Sequence, residues 1–62
     1  MKEMILSALR QHYHGKIAIA KANVEVFLKA HAGVGDHPDV VETIDNLIGE
    51  IAQIDDKLMV LD

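Results

Sequence analysis

The segment Gly33-Val34-Gly35-Asp36-His37-Pro38-Asp39 divides the chain into two halves. It holds two of the four glycines and the only proline, and it separates two long segments that lack proline. Glycine suits the residue that ends a helix, and proline suits the first turn of the next one. We therefore predict a single helical hairpin, with helices at about 2–32 and about 38–61 joined by a turn at 33–37, where Asp36 or His37 is the N-cap.

The composition favours an all-α protein that needs a partner. The chain has 62 residues, of which 50% are hydrophobic but only 3% aromatic, and such residues are the usual material of helix–helix packing. It has no cysteine, which excludes disulfides and thiolate metal sites. A chain of this size buries little apolar surface alone, and oligomerisation is a common remedy. We therefore expect a homodimer or a higher homo-oligomer.

The sequence predicts neither a membrane span nor a signal peptide. No apolar run approaches the roughly 20 residues that a membrane helix needs. The apolar residues after the N-terminal Met-Lys-Glu are too few for a signal peptide. We expect a cytoplasmic protein without membrane contact.

Two apolar stripes run along the first predicted helix, each with steps that alternate between three and four residues. The first, which we call the aromatic stripe, consists of Leu6, Leu9, Tyr13, Ile17, Ala20, Val24, Phe27 and His31. The second, the alanine–glycine stripe, consists of Ile5, Ala8, His12, Gly15, Ile19, Ala22 and Val26. At about 100° per residue the stripes lie roughly 125° apart, so this helix is predicted to pack against two neighbours.

The second predicted helix has one heptad seam, which is the clearest periodic pattern in the chain. The seam consists of Val40, Ile44, Leu47, Ile51, Ile54, Leu58 and Leu61. A flank of apolar residues widens it to one side, namely Val41, Ile48, Ala52 and Met59. The remaining arc is polar, so this helix is predicted to be amphipathic with a solvated face.

The register of the fold-back assigns the two stripes to different neighbours. A turn centred near residues 34–35 sets residues whose numbers sum to about 70 opposite each other, because antiparallel helices rise equally per residue. Large seam residues then meet the small Ala8, Gly15 and Ala22, which favours pairing through the alanine–glycine stripe. The aromatic stripe is then predicted to pack against the same stripe of a second copy. The predicted dimer interface is Leu6, Leu9, Tyr13, Ile17, Ala20, Val24 and Phe27, in an antiparallel four-helix bundle.

One acidic residue falls within the apolar arc of the second helix. By the same register, Asp55 lies near His12 and Lys16. We predict that Asp55 pairs with Lys16 or His12 and fixes the register of the two helices. One alternative is a catalytic carboxylate–histidine pair, but no nucleophile or oxyanion site accompanies it. The other is that Asp55 makes no pair and extends to solvent. We therefore predict no catalytic residue, no cofactor and no enzyme activity.

The charges are divided unequally between the two halves. The net charge is +3 before the turn and −7 from Gly33 onward. Folding back, or pairing with another copy, sets opposite charges side by side, which biases orientation more than it stabilises. The basic residues do not form a dense face, and the acidic half repels phosphate. Direct binding of nucleic acid is therefore not predicted.

The histidines do not make a metal site by spacing alone. His12 and His14 point nearly 200° apart on a helix, so they cannot share one ion. His31 and His37, with Asp36 and Asp39 near the turn, match no known zinc spacing. We predict no metal ligand, and a metal-binding protein remains an alternative. The glycines at 33 and 35 are not a phosphate loop, because the lysine–serine/threonine signature is missing.

Three segments carry a resemblance to known proteins. They are residues 20–28, 33–39 and 51–58, which read AKANVEVFL, GVGDHPD and IAQIDDKL. The chain resembles small uncharacterised helical-hairpin proteins encoded by marine tailed phages, over most of its length from Lys16 onward. The resemblance implies a phage origin and a role in the cytoplasm of an infected bacterium. It assigns no functional residue.

These observations lead to one predicted function and two alternatives. We predict a small protein–protein interaction module or adaptor, built as a homo-oligomeric helical hairpin. One alternative is an accessory factor associated with nucleic-acid processing in phage-infected cells. The other is the metal-binding protein named above.

Overall fold

The computed structural model describes residues 1–30 and 38–62. It contains two α-helices, α1 at Lys2–Ala30 and α2 at Pro38–Leu61, which pack against each other. The prediction of an all-α helical hairpin is thereby confirmed. The predicted turn at 33–37, its N-cap and the last two residues predicted for the first helix lie outside the described residues.

Both ends of α1 and the N-terminus of α2 carry charges that suit the helix dipole, whereas the last turn of α2 has no basic residue. Glu3 lies in the first turn of α1 and Lys29 in its last turn, and Asp39 lies in the first turn of α2. Acidic groups near the N-terminus and basic groups near the C-terminus stabilise a helix by about 0.3–1 kcal/mol each. Lys29 also pairs with Glu25 one turn earlier, at 3.6 Å. Local sequence therefore supports each helix before any packing is considered.

Two contacts of α1, one with α2 and one with the residue that follows α2, fix how far one helix is shifted along the other. The Lys57 ammonium lies 5.7 Å from the centroid of the Tyr13 ring. The Arg10 guanidinium pairs with the Asp62 carboxylate at 3.3 Å. In each contact the two residues are ones that the predicted register places opposite, or nearly opposite, each other. The helices are therefore antiparallel, and their relative shift agrees with the prediction.

The rotation of α1 about its own axis differs from the prediction. Ala20, on the aromatic stripe, is only 3% exposed, and Tyr13 is half-buried. On the alanine–glycine stripe, Ile19 and Val26 are 63% and 66% exposed. The prediction that the alanine–glycine stripe packs on α2 is therefore wrong. The helices bury the stripe with the larger side chains, because the gain in free energy grows with the apolar area removed from water.

The residues predicted for a dimer interface consequently lie mostly inside the hairpin. Ala20 is buried, whereas Leu9 is 36% exposed to solvent. The others are half-buried, namely Leu6, Tyr13, Ile17, Val24 and Phe27. Because α2 covers part of this stripe within one chain, only its uncovered side is open to a second copy. Dimerisation itself stays a prediction.

The hairpin has a thin core and a large surface. The buried hydrophobic residues of the described chain are Ala20, Ile54 and Leu58. The molecule measures 50 × 16 × 12 Å, and its radius of gyration is 14.9 Å. A compact globule of this length would have a radius of gyration of about 10.6 Å. Two helices alone therefore leave most of their apolar surface in contact with water.

Candidate functional site

An open groove runs between the helices near the middle of the hairpin, with a volume of about 490 Å³. Its floor is formed by Ile17 of α1 and by Ile51 and Leu58 of α2, which all belong to the contact between the helices. On the α2 side, Ile48 and Ala52 line it and are exposed to solvent. The sequence places them there because they flank the heptad seam on one side.

The two sides of the groove carry opposite charges. His14 and Lys21 line it from α1, and Asp55 lines it from α2. The ion pairs within residues 1–30 and 38–62 join Arg10 to Asp62 and Lys29 to Glu25. Lys21 and Asp55 therefore have no ion-pair partner in the described part of the chain, and they face the solvent above an apolar floor.

The predicted register pair does not form in the structure. Asp55 lies with His14, Ile17 and Lys21 around the groove, and no ion pair within the described ranges joins it to Lys16 or His12. Lys16 is five residues from Lys21, so it points about 140° away around the helix. The physical reason is the rotation of α1, which carries Lys16 and His12 away from the groove.

A second exposed surface lies on the outer side of α1. It is the alanine–glycine stripe, in which Ile5 is 54% exposed and the alanines at 8 and 22 face solvent. No atom of α2 lies within 4 Å of the position that a Cβ atom would take at Gly15. The close packing that the small residues predicted is therefore not made within the hairpin, and this surface is free in a single chain.

The described histidines lie at the surface. His12 and His14 are both exposed, and the His12 ring is tilted by 53° against Tyr13 at 5.7 Å between centroids. His31 and His37 lie outside the described residues. Within the ranges that the structure describes, no three histidine, cysteine or acidic residues are close enough to hold a metal ion. Neither described helix is long and apolar enough to cross a membrane.

The sequence contained a signal for the groove that the prediction did not use. Ile48 and Ala52 belong to the apolar flank of the α2 seam, and Asp55 falls within the apolar arc of the same helix. Spacing alone could place these residues on one side of α2, but it could not say which residues of α1 stand across from them. The residues of α1 that line the groove depend on the rotation of α1 about its axis. In the structure this rotation brings His14 and Lys21 to the groove with Asp55.

No family model, curated protein or solved structure matches the chain. The resemblance to phage-encoded proteins therefore stays a prediction. The two surfaces described above are the features from which a function can be inferred.

Proposed function

We propose that the chain is a homo-oligomeric helical hairpin that acts as a protein–protein interaction module. The observation that carries this proposal is the accessible surface of a single chain, which is 4905 Å². A compact monomer of the same mass exposes about 3,950 Å² by the usual scaling. The excess of about 950 Å² is close to the roughly 800 Å² that each partner buries in a standard protein–protein interface.

The apolar character of the exposed residues supports the same proposal. Eleven large hydrophobic side chains are exposed in the described chain, which are Met1, Met4, Ile5, Leu9, Ile19, Val26, Leu28, Val41, Ile48, Met59 and Val60. Single exposed apolar residues are ordinary, but contiguous apolar patches mark interaction sites. Here Ile19 and Val26 lie seven residues apart on one side of α1, and Ile5 lies fourteen residues before Ile19 on the same stripe.

The form of these surfaces suits contact with a macromolecule. Pockets that bind small substrates enclose most of the ligand, whereas the groove is open along its length and Ile48 is 55% exposed beside it. We therefore propose binding and not catalysis as the role of the hairpin. We do not extend the proposal to nucleic acid, because the strongly acidic second half repels phosphate.

Light scattering after size exclusion tests the proposal. We expect about twice the mass of one chain at micromolar concentration, or a higher multiple. A melting temperature that rises with protein concentration is an independent sign, because association stabilises the folded state by mass action. A monomer at micromolar concentration, with a melting temperature that does not depend on concentration, contradicts the proposal.

A further inference from the structure

We propose that the groove between α1 and α2 is the self-association site, and that its occupant is the groove of a second copy. The two copies are related by a two-fold axis parallel to the helices. This inference rests on the proposed function, since it specifies where and how the hairpin associates. It replaces the aromatic stripe, which α2 covers within one chain, as the predicted interface.

The apolar surface beside the groove is long enough for such a contact. Ile48 lies on its α2 side, and Val41 lies seven residues before Ile48 on the same side of the helix. Leu28 lies seven residues after Lys21 on α1, at the level of Val41 in an antiparallel pair. Val41 is 67% and Leu28 50% exposed, so apolar surface continues from the groove toward the C-terminal end of α1.

Charge complementarity identifies the occupant. One side of the groove presents His14 and Lys21, and the other presents Asp55. A two-fold axis parallel to the helices places α1 of one copy against α2 of the other. Each residue keeps the same height along the axis as its counterpart in the other copy. The basic side of each groove then meets the acidic side of its partner. A self-complementary surface of this kind is what an isologous two-fold contact requires.

Charge repulsion disfavours the outer side of α1 as the contact surface of a symmetric dimer. Pairing through the outer side of α1 would set two copies of α1 side by side. The segment before the turn has a net charge of +3, so the two helices would repel each other. Pairing through the groove sets the +3 segment beside the −7 segment of the other copy. The result is a four-helix bundle in which every helix has neighbours of opposite charge.

Two matched isoleucine variants test which surface is used. Ile48→Asp puts a carboxylate beside the groove, and Ile19→Asp puts one on the outer side of α1. The two side chains are similarly exposed in one chain, at 55% and 63%, so neither change should unfold the hairpin. We expect Ile48→Asp to raise the dimer dissociation constant by about tenfold or more, because it buries a charge in an apolar contact. Ile19→Asp should leave the constant within about twofold of wild type.

Reversed charges test the pairing across the axis. Lys21→Glu and Asp55→Lys should each raise the dissociation constant by about twofold, because the register sets these two side chains about six residues, or roughly 9 Å, apart along the helix axis. The double variant should recover most of the loss, because it restores opposite charges with their positions exchanged. Helical circular dichroism at the working concentration checks that each variant remains folded.

The outcomes separate this inference from the proposed function. If Ile19→Asp dissociates the dimer while Ile48→Asp does not, the groove is the wrong surface but self-association stands. Charge reversals that do not rescue each other likewise overturn the two-fold arrangement. A wild-type chain that is monomeric throughout overturns the proposed function, and the groove proposal with it.

Discussion

The Lys57 ammonium lies over the ring of Tyr13, 5.7 Å from its centroid, and joins the second helix to the aromatic stripe of the first. Tyr13 is half-buried between the helices, whereas Lys57 is exposed. The contact can form only if α1 turns its aromatic stripe toward α2. The contact is therefore evidence for the rotation of α1 about its axis. In this rotation the alanine–glycine stripe faces solvent, and His14 and Lys21 line the groove together with Asp55.

A matched pair of alanine variants tests that rotation directly. Ala20 is 3% exposed and Ala22 faces solvent, and the two residues point in nearly opposite directions from α1. Ala20→Leu should lower the free energy of unfolding by about 1–3 kcal/mol, because it overpacks the contact between the helices. Ala22→Leu should change it by less than about 0.5 kcal/mol. Urea unfolding at one fixed protein concentration measures both values.

If Ala22→Leu destabilises the protein and Ala20→Leu does not, α1 has the rotation predicted from the sequence, with the alanine–glycine stripe packed on α2. Leucine and alanine are both strong helix formers, so helix propensity does not confound the comparison.

Removal of one buried side chain should cost a large share of the stability. Ile54 is 4% exposed, and it belongs to a core with few buried members. Ile54→Ala should lower the free energy of unfolding by about 2–5 kcal/mol, since it leaves a cavity. A domain of this size has only roughly 3–9 kcal/mol in total. Thermal unfolding followed by circular dichroism should show a much lower midpoint, whereas Ile19→Ala, at a residue 63% exposed, should melt close to wild type.

A melting temperature of Ile54→Ala that stays near wild type would mean that the contact between α1 and α2 contributes little. The hairpin would then be held together by association with other copies.

The two helical glycines should tolerate alanine. No atom outside the local helix lies within 4 Å of a Cβ position at Gly15 or at Gly49. Because glycine in a helix interior is about 0.5–1 kcal/mol worse than alanine, Gly15→Ala and Gly49→Ala should each raise the free energy of unfolding by roughly that amount. Thermal melts at equal protein concentration give the comparison.

Gly49 serves here as the control for Gly15. If Gly49→Ala stabilises the protein while Gly15→Ala destabilises it, another backbone packs on the outer side of α1. That result would favour the alanine–glycine stripe as a docking surface for a further protein chain.

The contact between Lys57 and Tyr13 should have a small but measurable energy. A double-mutant cycle with Lys57→Met and Tyr13→Leu isolates the pair from the packing of each side chain. We expect a coupling of about 0.5–1 kcal/mol, as for cations over aromatic rings at exposed sites. Chemical denaturation of the four proteins measures it, and a coupling near zero would show that Tyr13 contributes through packing alone.

The class of the fold and the relative shift of the helices could both be predicted from the amino-acid pattern. Periods of three and four residues predicted α1 and α2, because such steps return to one side of a helix. Pro38, where α2 begins, marked the start of the second helix, and equal rise per residue set Tyr13 near the level of Lys57. The groove could be predicted only in part, since the flank of α2 was visible in the sequence but its partners on α1 were not.

Which side of α1 is buried depends on packing between the two helices, and the amino-acid pattern does not predict it. Both stripes have helical spacing, so periodicity could not rank them, and the small residues at 8, 15 and 22 favoured the wrong one. Packing energy ranks them by apolar area removed from water, and a stripe with Tyr13, Ile17 and Phe27 offers more than one built on alanine and glycine. With that stripe packed on α2, Lys21 and Asp55 line the same groove. The apolar residues left exposed are therefore different from those predicted.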